Sequence, residues 1–174
     1  MSILEALIRR NRVFAETRFD PRLRMRPSLN TTVITCLDPR VDPAVVLGAE
    51  QGEIAVLRNP GGRVTPRTIE QLLILQEVAR ANQPDIPSER HIVVLQHTQC
   101  GLTLIQNRAD MLTSYFEVAE ENLSAVAVGD PRAAVTRDVA ALRAEPCLDG
   151  IQVSGLVYDV LTGLVDTVVP PREP

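Results

Sequence analysis

Two short runs, Cys36-Leu37-Asp38-Pro39-Arg40 and His97-Thr98-Gln99-Cys100-Gly101, hold the side chains of this chain best suited to chemistry. Together they supply two thiols, one imidazole, and a carboxylate two positions from a guanidinium. Two thiolates and an imidazole form a zinc ligand set that leaves a fourth, tetrahedral position for water. Each residue also has a plainer reading. A cysteine at a strand end is commonly a small buried hydrophobe, a histidine an ordinary polar residue, and Asp38 with Arg40 a surface ion pair. The spacing argues for the set as a whole. His97 and Cys100 stand three residues apart, so both can reach one ion, and His97 is one of only two histidines. Asp38 and Arg40, alternate residues leaving a strand, share a face and can meet beside Cys36. Cys147 leaves a second arrangement open: as a fourth ligand it would close a Cys3His structural site with no room for water.

For these groups to converge, the elements carrying them must lie side by side. Thr31 to Cys36 is short and β-branched, as a buried parallel strand should be. Ile54 to Leu57 and His91 to Gln96 read the same way, and Ile151 to Val160 makes a fourth strand. Thr162-Gly163 then turns the chain into an antiparallel partner, Leu164 to Val169. Helices separate the strands. Thr65 caps one that opens at Pro66, and Asp130 caps another over Pro131 to Arg143. Pro84 and Pro87 break the chain before the third strand; Gly101 to Asn107 allows a short helix, and residues 108–130 carry no clear pattern. The sum is an α/β fold: a parallel sheet of about four strands, flanking helices and a C-terminal antiparallel strand. In such sheets ligands bind beyond the carboxyl ends of strands where strand order reverses. Cys36 ends the first strand, and His97 and Cys100 follow the third. If those strands are neighbours, the three side chains meet at one edge; His91, at a strand start, falls at the opposite edge and reads as structural.

Ser2 to Arg18 is an amphipathic helix, followed by a polar, proline-marked stretch from Asp20 to Pro27. Residues 1–26 thus form an N-terminal arm on a single domain spanning 1–174. With 174 residues and 45% apolar content the chain can bury one real core. Its net charge of −4 and scattered basic residues give no footprint for nucleic acid. All 18 basic side chains are arginine, which excludes Schiff-base and P-loop lysine chemistry. No run of 18 apolar residues suggests a membrane span and no signal peptide is read, so the expectation is a soluble, unexported protein. Three widely spaced cysteines fit a reducing, cytoplasmic compartment better than a disulfide framework.

The sequence resembles the β-class carbonic anhydrases. Cys36-Leu37-Asp38-Pro39-Arg40 matches that family's C-x-D-x-R, His97-Thr98-Gln99-Cys100-Gly101 its H-x-x-C-G, and Arg58-Asn59-Pro60-Gly61 its R-N-x-G. The resemblance runs from about Pro27 to Val169 and includes the closing Gly155-Leu156-Val157-Tyr158-Asp159-Val160-x-Thr162-Gly163. It implies one Zn2+ per subunit held by Cys36, His97 and Cys100, with Asp38 and Arg40 as the dyad beside the fourth position. The implied reaction is reversible hydration of carbon dioxide to bicarbonate and a proton by a zinc-bound hydroxide, whose hydrogen Asp38 accepts while Arg40 positions it. One branch of the family has a closed, inactive form in which Asp38 is itself a ligand. A centre with two thiolates and a neutral imidazole has no net charge left, so it acidifies water less than a three-histidine site and catalysis should strengthen as pH rises. Gly61, Gly62, Gly101 and Leu102 are candidates for the wall of a dry pocket, although Gly61-Gly62 also reads as a tight turn.

Pro60 stands where the family often has alanine and Gln99 where it often has an acidic residue, which bears on substrate choice. Relatives on the same fold hydrolyse carbonyl sulfide or carbon disulfide, the alternative substrates. No proton shuttle is evident. The family also assembles as homodimers or larger homo-oligomers in which the N-terminal helix packs on a neighbour, a role that suits Ser2 to Arg18.

Overall fold

The structure is a computed structural model that describes residues 1–82 and 90–172. The breaks read at Pro84 and Pro87 lie outside the described residues. Strand β1, Thr31–Cys36, is the hub of a five-stranded sheet. It pairs in parallel with β2, Ile54–Asn59, on one side and with β3, His91–His97, on the other. Beyond β3 lies the parallel β4, Gln152–Tyr158, and then the antiparallel β5, Val165–Val169, giving the order β2-β1-β3-β4-β5. The chain therefore steps one way from β1 to β2 and the other way to β3. That reversal makes the carboxyl ends of β1 and β3 the switch point of the sheet.

β2 and β3 run longer than their β-branched cores suggest, reaching Asn59 and His97 because their neighbours go on offering backbone partners: Cys36 pairs with Asn59 and His97 with Tyr158. β4 is shorter than its apolar pattern, since Asp159 leaves the ladder and its Oδ1 accepts the backbone N–H of Leu161 at 2.7 Å, shaping the turn to β5.

Alternation along the strands divides the core. Ile34, Ile92, Val94 and Val153 point to the face covered by α3, Pro66–Asn82, through Leu72, and by α6, Pro131–Ala144, through Val135, Val139 and Leu142. Both helices begin as read. Thr65 Oγ1 accepts from Thr68 N–H at 3.2 Å, and Asp130 Oδ1 accepts from Arg132 and Ala133 N–H at 3.0 Å each. α6 approaches β4 so closely at Gly155 that a Cβ there would lie 2.7 Å from Val135 Cγ2. Val33 and Leu95 point to the other face, against Val41 and against Val46 of a short helix α2, Pro43–Val46, which the sequence pattern does not announce. The stretch 108–130 resolves into α4, Ala109–Phe116, a 3-10 turn at Glu120–Asn122, and α5, Leu123–Val126.

Helix α1, Ile3–Thr17, is fixed at its start by a capping box in which Ser2 Oγ accepts from Glu5 N–H and Glu5 Oε2 accepts from Ser2 N–H. It buries none of its residues, and Ile3, Leu4, Leu7 and Ile8 are exposed.

Candidate metal centre

Cys36 is the last residue of β1 and His97 the last of β3, so adjacency of the two strands sets them side by side at the switch point. Cys100 joins them from the loop after β3, where Gln99 takes a positive φ of 54° and turns the chain back. The ligand atoms of Cys36, His97 and Cys100 all lie within 4.8 Å of one another, and all three residues are buried. The two Sγ atoms are 4.0 Å apart.

His97 reveals what this cluster can hold. Its Nδ1 is 2.8 Å from Thr98 O, and since a carbonyl only accepts, Nδ1 carries the hydrogen. Nε2 is left with a bare lone pair, buried and without a hydrogen-bond partner. Burying such an atom unsatisfied is unfavourable by about 1–3 kcal/mol. A metal ion accepting that lone pair removes the penalty, and the two thiols complete a donor set suited to zinc. The thiols act as a unit. The hydrogen bond from Cys100 lowers the pKa of Cys36 against the opposing effect of burial, while the proton kept on Cys100 is held more tightly than in a free thiol.

Asp38 and Arg40 meet beside this cluster. Arg40 Nη2 donates to Asp38 Oδ2 at 2.7 Å and Arg40 Nε to Oδ1 at 3.0 Å, while the Arg40 backbone N–H donates to Oδ1 at 2.9 Å. These bonds hold the pKa of the Asp38 carboxyl at about 2. Arg40 Nη2 also donates to Gln99 O at 3.0 Å, tying the dyad to the loop that carries Cys100. Asp38 is thus engaged by Arg40 and stands apart from the three clustered ligand atoms. Arg58, on β2, braces the turn from behind, its Nε donating to Cys36 O at 2.9 Å and its Nη2 to Asp38 O at 2.7 Å.

The turn Pro60-Gly61-Gly62 closes one side. Gly62 takes φ +62°, and a Cβ there would fall 2.6 Å from Cys36 N, so only glycine lets this backbone lie against the end of β1. Gln96 Nε2 fixes the turn by donating to Gly62 O at 2.7 Å. Leu102 and Val128 pack against Cys36 and Cys100. Of the four pocket residues read from sequence, Gly61 and Leu102 touch, and Gly101 opens the 3-10 turn that presents Leu102. Cys147 stands outside the cluster, exposed, 3.9 Å from Glu145 Oε2 in the turn before β4. His91 begins β3 at the opposite edge, with its Nε2 2.9 Å from Ser154 Oγ.

A family model described as carbonic anhydrase matches residues 31–165. The chain belongs to the β-class carbonic anhydrases. It is 28% identical over 170 residues to Beta-carbonic anhydrase 1 of Mycobacterium tuberculosis, an alignment covering 92% of this chain and 94% of that protein. The crystal structure of carbonic anhydrase from Streptococcus mutans superposes with a TM-score of 0.73 at 31% identity, over 97% of this chain and 98% of that one. A carbon disulfide hydrolase in its apo form shares the fold at 20% identity, with a TM-score of 0.60 over 94% of this chain and 88% of its own.

As a carbonic anhydrase the protein is a lyase, and two supports of the Cys36–His97–Cys100 cluster escape a reading by motif. Arg63 and Asp138 form a buried ion pair behind the glycine turn, and Tyr115, in the stretch without a pattern, donates from its hydroxyl to Pro60 O at 3.2 Å. Burial and then the charge of Cys36 raise the pKa of Tyr115. Their partners lie 75 and 55 positions away, beyond the reach of local spacing.

Proposed function

We propose that this carbonic anhydrase hydrates carbon dioxide reversibly to bicarbonate and a proton, with one zinc ion per subunit held by Cys36, His97 and Cys100. The observation that carries the reading is buried His97, whose Nε2 has no hydrogen-bond partner and whose ring reaches within 4.8 Å of both thiol sulfurs. A zinc ion there supplies Lewis acidity that makes a water nucleophilic towards the alkaline side of neutrality.

The chain supplies the orientation. Asp38 stays ionised and off the metal because Arg40 occupies it from two sides. Its Oδ2 keeps a lone pair for the hydrogen of the attacking oxygen, aiming that oxygen's own lone pair at the carbon of CO2. Arg40 is a positioning residue, and its bond to Gln99 O keeps the dyad in register with the Cys100 loop. Gly61, Gly62, Gly101 and Leu102, none of them charged, would line the approach to the site, which suits a small apolar substrate. The released proton passes to solvent buffer.

The exposed apolar side of α1 supports a homodimer or larger homo-oligomer in which that helix packs on a second copy. No helix among the described residues is long and apolar enough to cross a membrane, and three free thiols suit the cytoplasm.

Zinc analysis beside turnover tests the reading. The native protein and Cys147→Ser should each carry about one zinc and hydrate CO2, while Cys36→Ser should lose both metal and activity. Zinc lost from Cys147→Ser would indicate a closed structural site. Zinc-loaded protein that turned over carbonyl sulfide or carbon disulfide but not CO2 would move the substrate to those molecules.

A further inference from the structure

Behind the metal centre lies a second apolar space. A cavity of about 190 Å3 sits between the 3-10 turn Gly101–Ile105, α4 and α5, and its body is formed by Leu102, Leu112, Phe116, Leu123, Val126 and Val128. Two of these, Leu102 and Val128, are the same side chains that pack on Cys36 and Cys100 from the other side. The partition between cavity and metal centre therefore includes these two aliphatic side chains, side by side. No lining residue carries a charge, and the exposed Gln106 and Ser124 mark the rim facing solvent.

The walls are fixed. Arg63 Nη1 donates to Ala127 O at 2.9 Å and Nη2 to Ala125 O at 3.3 Å, while the same guanidinium is held by Asp138. That anchors the segment bearing Val126 and Val128. On the opposite side Thr103 Oγ1 donates to Cys100 O at 2.7 Å, fastening the wall at Leu102 to the metal loop. A sealed apolar cavity of about 150 Å3 takes up benzene or xenon; this space opens to solvent at Gln106 and Ser124, and its apolar, uncharged body favours small neutral molecules over anions.

We propose that this cavity is the entry site for the substrate of the reaction assigned above: a linear, apolar, triatomic molecule that dwells between α4 and α5 and passes between Leu102 and Val128 to the metal centre. The inference rests on the hydration reading for its substrate and on the cavity alone for its location. Val128 is buried and Leu102 only half-buried, so rotation of the Leu102 side chain is what opens the partition. Bicarbonate, being charged, leaves by the side of Asp38 and Arg40.

The test uses xenon as the probe, on crystals of the zinc-loaded protein, beside stopped-flow CO2 hydration by native, Val126→Trp and Val126→Ala proteins. Val126 touches neither the ligands nor the dyad. The expected result is xenon between α4 and α5 in the native protein and in Val126→Ala, and none in Val126→Trp. With zinc content equal, Val126→Trp should have a kcat/KM for CO2 roughly 3- to 10-fold below that of Val126→Ala and of the native protein. Because the reaction's equilibrium constant is fixed, dehydration must fall by the same factor. Native crystals with no xenon in the cavity, or a zinc-loaded Val126→Trp with native kcat/KM, would overturn the proposal. Native zinc protein silent towards CO2 would instead count against the hydration reading, and xenon occupancy would still decide the location.

Discussion

Arg63 and Asp138 face each other across the interior in a two-pronged ion pair, Nε to Oδ2 at 2.8 Å and Nη2 to Oδ1 at 2.9 Å, with each side chain only 3% exposed. The pair joins the glycine turn beside the Cys36–His97–Cys100 cluster to α6 and, through the backbone of Ala125 and Ala127, to the segment bearing Val128. Removing one partner strands a buried charge. Asp138→Ala should therefore lower unfolding free energy by about 3–5 kcal/mol in chemical denaturation, whereas the apolar double replacement Arg63→Met with Asp138→Leu should cost far less. Equal losses in the two proteins would mean that shape alone, and not the charge, matters there.

Gly62 makes a different demand. Its φ of +62° and the 2.6 Å that would separate a Cβ from Cys36 N leave no freedom for a side chain. Gly62→Ala should lower stability by about 1–3 kcal/mol and, on the zinc reading proposed above, weaken zinc retention against a chelator, because the displaced backbone is that of Cys36. Unchanged zinc retention would show that the turn and the end of β1 move independently.

Assembly should depend on α1 without the fold depending on it. Since none of its residues is buried, Leu7→Glu with Ile8→Glu should leave the circular dichroism of the protein native-like while shifting its sedimentation towards a smaller species. An unaltered sedimentation profile would place the interface elsewhere.

Asp38 sets an acid limit. Its folded pKa of about 2 lies below the ordinary carboxylate value of about 3.9, so its pairing with Arg40 contributes stability above roughly pH 4 and loses it as pH falls through about 2. In metal-free protein, the stability difference between native and Asp38→Asn should be constant above about pH 5 and shrink below about pH 4. A difference that instead changed between about pH 6 and pH 8 would show that the Arg40 pairing does not hold the carboxyl down.

The sheet and the Cys36–His97–Cys100 cluster are legible in the sequence because both are written locally. β-branched runs mark the strands, and Cys36, His97 and Cys100 sit within a residue or a short loop of strand ends, so topology alone brings them together. Asp38 and Arg40 are legible for the same reason, two positions apart on one face. The supports are not. Arg63 finds Asp138, Tyr115 finds Pro60, and Val128 finds Cys100 across the fold, and these contacts are set by how α4, α5 and α6 pack and not by any local period. The 108–130 stretch hides its helices because they are short and joined by turns that interrupt the helical pattern.

If Asp38, held by Arg40, works beside zinc on Cys36, His97 and Cys100, its loss must silence a centre that still holds metal. Stopped-flow CO2 hydration from about pH 7 to pH 9, on native and Asp38→Ala proteins with zinc quantified in both, decides the matter. We expect about one zinc per chain in each protein, a native rate that climbs with pH, and a rate at least about 100-fold lower in the variant. A fully zinc-loaded Asp38→Ala that hydrated CO2 at the native rate would refute the role given to Asp38.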